Sequence, residues 1–265
     1  MAFRRFLRGQ LAWPRLEAVA REVAARYGAE EVRVRFLDAD NWLSTPCVVD
    51  DRWFVKIISN QHSLVHALLT TGRNLGAFSA GREGFFEHFG TPYQMAEHEL
   101  DAARRMRELG LNVPEPVEAF EFDGLGVLVM EYLPDFRPLD DLAPEEVERH
   151  APTMFEQLRR MHEAGLAHGD LREENVLVSG GDLYFIDATS VREDAIADAR
   201  AYDLACALAA LAPHVGARTA VEAALTAATP QELLEALEFL DFVNLRPDHA
   251  FDATAVKGEI EKAAT

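Results

Sequence analysis

The stretch that most constrains this chain runs from His168 to Asp187. Val176-Leu177-Val178 and Leu183-Tyr184-Phe185-Ile186 are apolar, strand-prone runs, and Gly180-Gly181 between them is a strong two-residue hairpin signal. With that turn, Val178 pairs with Leu183, Asn175 falls opposite Ile186, and Asp187 lies one residue beyond. The hairpin therefore brings Asn175 and Asp187 together at its open end, about 5 Å apart at the Cβ level. Asp170 sits on the loop that enters the same end. These three oxygen-bearing side chains have no thiol or ligand-spaced histidine beside them. Hard oxygen ligands that leave room for water and phosphate suit magnesium.

The chain is 265 residues long with a formal net charge of −19, from 45 acidic and 26 basic residues. That length allows one large domain or two lobes with a sizeable core, and the apolar half of the composition excludes a disordered chain. The acid excess argues against a naked nucleic-acid binder and against an anionic membrane surface. Only three residues are lysine: Lys56, Lys257 and Lys262. An acidic, lysine-poor surface resembles that of proteins from salt-loving microbes, and it makes Lys56 conspicuous. Cys47 and Cys206, the only cysteines, read as reduced thiols of a cytoplasmic protein. No apolar run approaches a membrane span, and the start of the chain lacks the apolar core of a secretory signal.

Pro14 to Tyr27 reads as a helix closed by Gly28, preceded by Arg4, Arg5 and Arg8; residues 1–31 are expected to be a helical extension that caps the domain. Residues 32–58 are strand-rich, with a hairpin around Asp50-Asp51 and Lys56 in its second strand. Residues 59–92 form a long insertion punctuated by Gly72, Gly76, Gly81, Gly84 and Gly90. It is either a mobile functional loop or packed irregular structure. A helix follows over Tyr93–Leu109, then a hairpin turning at Asp123-Gly124. Pro134 and Pro138 mark a linker near residues 134–142, after which the chain is mostly helical, including VEAALTAA and PQELLEALEFLDFV in the tail. The order predicts an α+β chain in two lobes, divided as 32–133 and 134–265.

HGDLREENVLV resembles the catalytic loop of the protein-kinase-like superfamily, H-x-D-x-x-x-x-N. YFIDAT stands where that superfamily has its magnesium-binding Asp-Phe-Gly, and VKIIS resembles its strand-lysine motif. Glu99, eleven residues before Gly110, matches the superfamily's helix glutamate. MEYLP at 130–134 looks like the hinge between lobes, and Asp203 in AYDLACAL matches the aspartate that braces the catalytic loop. The resemblance covers roughly residues 32–210, in the right order throughout. It implies a bilobal fold: an antiparallel N-lobe sheet with one key helix, then a mainly helical C-lobe.

The resemblance also implies roles. Asp170 would accept or orient the proton of an attacking hydroxyl, while Asn175 and Asp187 would hold Mg2+ on the phosphates of ATP. Lys56 would pair with the α- and β-phosphates, held by Glu99. A compact ammonium is not exchangeable with arginine there. Backbone groups from Glu131 to Leu133 would meet adenine. His168 and Asp203 would be structural braces.

Four features depart from regulated protein kinases. No G-x-G-x-x-G precedes Lys56; the covering segment reads Asp38-Ala39-Asp40-Asn41-Trp42-Leu43-Ser44-Thr45, where Ser44 and Thr45 could contact phosphate. His-Gly-Asp replaces His-Arg-Asp. Only 15 residues separate Asp187 from Asp203, too few for a long activation segment. Asp187-Ala188-Thr189 replaces Asp-Phe-Gly.

These features resemble small atypical kinases: RIO kinases and the kinase subunit of the complex that makes threonylcarbamoyladenosine on tRNA. The expected activity is phosphoryl transfer from ATP to a protein or small-molecule hydroxyl. A sugar or aminoglycoside-like kinase, and an ATP-gated switch in a ribosome- or tRNA-related assembly, are the alternatives.

Overall fold

The computed structural model describes residues 11–28, 32–37, 44–60, 90–188, 196–245 and 250–265. Arg4, Arg5, Arg8, most of the insertion expected over 59–92, Asp38 to Leu43 and Thr189 lie outside the described residues. Two compact units emerge. One takes the described residues up to 60 with 90–104 and Pro114–Pro134; the other takes 105–113 and everything from Asp135.

The first unit is built on five antiparallel strands: β1 (Val34–Phe36), β2 (Thr45–Val49), β3 (Trp53–Ile58), β4 (Pro116–Phe122) and β5 (Leu125–Glu131), in the order β1-β2-β3-β5-β4. The β4–β5 turn uses Asp123 and Gly124 at φ 49° and 71°, the left-handed pair that a two-residue hairpin needs. Helix α1 (Trp13–Arg26) starts with Pro at its first turn and buries Val19, Ala20, Val23 and Ala24. Val19, Ala20 and Val23 share a core with Cys47, Val49, Val55, Ile57, Val127 and Val129. Each fully buried valine or isoleucine there contributes about 1.5–3 kcal/mol. The helix is therefore part of the first unit's core. Arg15 pins it to the β4–β5 turn through Asp123 at 2.9 Å.

Strand alternation decides what the other face of the sheet carries. Val55 and Ile57 point into the α1 core, so Lys56 between them points to the opposite face. Helix α2 (Pro92–Glu108) lies on that side, with Met95, Ala96 and Leu100 buried.

The second unit holds helices α3 (Pro144–Glu163), α4 (Ile196–Val215), α5 (Ala217–Ala224), α6 (Pro230–Asn244) and α7 (Ala253–Ala263). In α4, Ala201 to Ala212 are all buried. A helix apolar around its whole circumference belongs at the centre of a domain. It packs against α3, α5, α6 and α7. A three-stranded sheet has the order β6 (Arg137–Pro138), β7 (Val176–Ser179), β8 (Asp182–Phe185). Val178 pairs with Leu183, with Gly180 and Gly181 at φ 61° and 92°.

Two elements differ from the sequence reading. The stretch expected as a linker forms strand β6 (Arg137–Pro138) and a 3-10 turn over Leu139–Asp141. Pro138 lacks an amide donor but is tolerated because β6 is an edge strand. Helix α7, not singled out in the sequence, is started by the Asp252 carboxylate, which accepts from the Ala255 amide at 3.0 Å.

Candidate active site

In the first unit, Lys56 Nζ donates to both Glu99 oxygens, at 2.9 and 2.8 Å. The two side chains are only 7% and 14% exposed. Glu97, the neighbouring acid, is exposed and accepts instead from the Tyr93 hydroxyl. A buried charge is tolerated only with a partner, so the strand and the helix each place half of one ion pair. Gly126 on β5 packs against the backbone of Pro92, where α2 begins.

Register separates the two hydroxyls expected beside Lys56. Pro46 is opposite Lys56, and Thr45 is opposite Ile57. Thr45 therefore shares the face of Cys47 and Val49 and turns its side chain away from Lys56, a correction to the sequence reading. Ser44, just before β2, is buried, and its Oγ has no hydrogen-bond partner among the described residues.

At the end of β5, where backbone groups from Glu131 to Leu133 are expected to meet adenine, two amides are already engaged. Glu131 N–H donates to the Glu115 carbonyl at 2.8 Å and Tyr132 N–H to the Arg52 carbonyl at 3.0 Å. The Leu133 amide remains as a donor, and Glu131 can contribute only its carbonyl.

In the second unit, the loop before β7 is fixed from below by Asp203 on α4, which is fully buried. Its Oδ2 accepts from the His168 amide at 2.7 Å and its Oδ1 from the Gly169 amide at 2.8 Å. His162 Nε2 lies 3.1 Å from the same Oδ2. Charge-assisted bonds of this kind are about twice as strong as neutral ones. Gly169 takes φ 78°, a left-handed turn that glycine adopts without strain. Asp170 and Asn175 are buried, and Asn175 Nδ2 donates to the Asp170 carbonyl at 2.7 Å. Ile186 N–H donates to the Asn175 carbonyl at 3.1 Å, extending the hairpin to its open end.

Asp187 follows with φ 59°, the left-handed backbone that Asp123 also takes in the β4–β5 turn and that aspartate tolerates better than most residues. The fully buried His168 imidazole is held below its ordinary pKa by burial, against the pull of the Asp203, Asp170 and Asp187 carboxylates. All three acids therefore act on one ring.

Asn175 spends its amide nitrogen on Asp170, so its carbonyl oxygen is available as a hard ligand. Asp187 is partly exposed and adds a carboxylate. Magnesium is bound through one or two such protein oxygens, with water and phosphate completing its shell, and this pair fits that demand. Among the described residues, no group of three or more His, Cys, Asp or Glu could form a protein-only metal cage.

Residues 88–201 match the RIO domain family. The structure has the protein-kinase-like fold of its solved neighbours. The matched stretch takes in α2 with Glu99 and the whole loop from His168 to Asp187. The chain is 36% identical over 105 residues to the KEOPS complex subunit Bud32 of Pyrococcus abyssi, covering 38% of this chain and 46% of that protein. It is 27% identical over 198 residues to the RIO-type serine/threonine-protein kinase Rio1 of Haloferax volcanii, covering 60% of this chain and 67% of the other. The match to Bud32 spans less than half of that subunit's length. Among solved structures, the Rio2 kinase–ADP/Mg2+–phosphoaspartate complex of Chaetomium thermophilum superposes with a TM-score of 0.50 at 16% identity, covering 96% of this chain and 77% of that one. No helix among the described residues is long and apolar enough to cross a membrane.

Sequence reasoning missed Gly126, His162 and Arg172, all within the matched stretch. His162 lies on α3, 41 residues from the aspartate it meets, and no local spacing announces that contact. Arg172 lies in the catalytic loop itself, and its cation between acids was a readable signal.

Proposed function

We propose that this chain is an ATP- and magnesium-dependent phosphotransferase to an alcohol hydroxyl, working as a RIO-type atypical serine/threonine kinase or ATPase. The observation that carries this reading is the buried Lys56–Glu99 pair. A near-lysine-free chain keeps one compact ammonium on a central strand and dedicates a helix carboxylate to it. Phosphoryl transfer needs positioning and charge neutralisation more than covalent chemistry by the protein. Lys56 would meet the α- and β-phosphates, and the unpartnered Ser44 hydroxyl would supply a further donor. The Glu131 carbonyl and the Leu133 amide would address adenine.

Asp170 would take the proton of the acceptor hydroxyl as the acceptor oxygen bonds to the γ-phosphorus and the bond to ADP breaks. Magnesium, when bound by Asn175 and Asp187, supplies charge neutralisation on the phosphates. Asp203, through the His168 and Gly169 amides, would hold the loop still during the transfer.

The acceptor is read as a protein or small-molecule hydroxyl. Likeness to a KEOPS complex subunit and to a tRNA threonylcarbamoyladenosine biosynthesis protein supports work within a tRNA-related assembly. Two buried free thiols support a reducing, cytoplasmic setting, and the acidic, lysine-poor composition supports adaptation to high salt. The test is incubation of the purified chain with magnesium and γ-labelled ATP at high salt, alone and with protein and sugar acceptors. Labelled protein or inorganic phosphate is expected. A labelled sugar would move the reading to a small-molecule kinase. Absence of ATP binding, or Asp187→Ala with undiminished turnover, would sink it.

A further inference from the structure

Helix α4 grips the catalytic loop at two places. Near its start, Asp203 holds the His168 and Gly169 amides. In its last turn, His214 Nε2 lies 3.0 Å from Glu173 Oε1, with the two side chains 18% and 29% exposed. Eleven residues separate Asp203 from His214. That interval is three helical turns, so both side chains leave α4 from one stripe, about 16 Å apart along its axis. Pro213, directly before His214, fixes its own backbone φ inside the helix. On the loop side, Glu173 opens the 3-10 turn Glu173–Asn175. Val176 N–H donates to the Glu173 carbonyl, and Asn175 N–H to the Arg172 carbonyl at 3.0 Å. The Asp140 carboxylate acts on Glu173 with like charge. A partly buried carboxylate under that repulsion needs a compensating partner, and His214 supplies one.

We propose that His214 is a positioning residue for the magnesium side of the site. Its bond to Glu173 clamps the far end of the catalytic loop and so fixes the turn that presents the Asn175 side-chain oxygen. The inference rests on the reading of Asn175 as a magnesium ligand. Asp203 holds the loop only where it enters, at His168 and Gly169. The imidazole is planar with few rotatable bonds, so it carries the position of a packed helix to Glu173 with little play. Groups that orient a metal ligand without touching the metal change metal affinity or activity by about 10- to 100-fold when removed. Lys56 and Leu133 belong to the other unit, so the clamp acts on the metal side and not on their nucleotide contacts.

The test breaks the bond from each side in the full chain. His214→Ala and Glu173→Ala should each raise the magnesium concentration for half-maximal ATP turnover by about tenfold, while the KM for ATP at saturating magnesium stays within about twofold. The double variant should lose no more than either single one, since the same bond is broken in all three. His214→Gln, which can donate to Glu173 from a similar reach, should keep most of the wild-type magnesium dependence. Additive losses, or a wild-type magnesium dependence in both alanine variants, overturn the proposal. A second arm needs neither metal nor turnover. In the nucleotide-free chain, amide exchange at Asn175 and Val176 should quicken by about tenfold in His214→Ala, while His168 and Gly169, held by Asp203, keep their wild-type rates. Unchanged exchange at Asn175 and Val176 overturns the clamp, and so does equal quickening at all four amides, which reports general loosening. Asn175→Ala tests the underlying reading separately: an unchanged magnesium dependence there removes Asn175 as a ligand, while amide exchange in His214→Ala still reports on the clamp.

Discussion

Gly126 and Pro92 are in direct backbone contact. A Cβ at residue 126 would stand 2.1 Å from the Pro92 carbonyl oxygen and 2.4 Å from its carbonyl carbon. Neither atom can yield unless the start of α2 moves. Glu99 lies seven residues into that helix, about 10 Å along its axis. Its partner Lys56 is two residues from Ile58, which pairs with Gly126. Both halves of the ion pair therefore depend on one close approach. Gly126→Ala should lift α2 from β5, lower the unfolding free energy by about 1–3 kcal/mol and weaken ATP binding. Urea unfolding and calorimetric ATP titration check this; wild-type values in both would show that the approach is not needed.

The Lys56–Glu99 pair makes a second prediction, in which stability and activity part company. Removing one partner leaves a buried charge alone, so Lys56→Met and Glu99→Leu should each destabilise by about 3 kcal/mol. The double variant replaces both charges with apolar groups and should recover much of that loss. ATP turnover should be lost in all three variants. A double-mutant cycle in urea measures the coupling, and strictly additive losses would mean that the pair is not coupled.

What the sequence made legible follows from the range of the interactions involved. The hairpin around Gly180-Gly181 was readable to the register, because turn chemistry and two apolar runs are local. The choice of Glu99 as the partner of Lys56 came from motif order, since an acid-rich helix offers Glu97 two residues away. Thr45 was misplaced because strand phase was not followed back from Lys56 through Pro46. The Gly126–Pro92 contact and the His162–Asp203 bond join residues 34 and 41 apart, and nothing in either local sequence encodes them.

Protonation of His168 sets the expected response to acid. Its imidazole is kept below the ordinary value of 6.5 because burial disfavours the charged form. The unfolded chain then binds a proton at this residue where the folded chain does not. Stability should be full above about pH 6.5 and fall as the pH drops below it, by about 1.4 kcal/mol per pH unit, until the folded-state value is reached. Denaturant unfolding from neutral to mildly acidic pH, compared between wild type and His168→Gln, isolates the contribution. Equal slopes would show that another group titrates.

Ser44 supplies a prediction in which folding and binding move in opposite directions. Its buried Oγ has no partner among the described residues, and an unsatisfied buried hydroxyl costs about 1–3 kcal/mol. Two residues on, Pro46 faces Lys56 across the ladder, which puts Ser44 on the phosphate side of the sheet under the proposed reading. Ser44→Ala removes the unmet demand, so the ligand-free chain should gain about 1 kcal/mol. The same change deletes a donor that the phosphates would use, so ATP affinity should fall by about tenfold, the equivalent of one lost hydrogen bond to a charged group. Thermal unfolding with and without magnesium-ATP reads both effects in one experiment: the variant should melt higher alone and gain less from nucleotide. A variant that gains as much from nucleotide as wild type would remove Ser44 from the site.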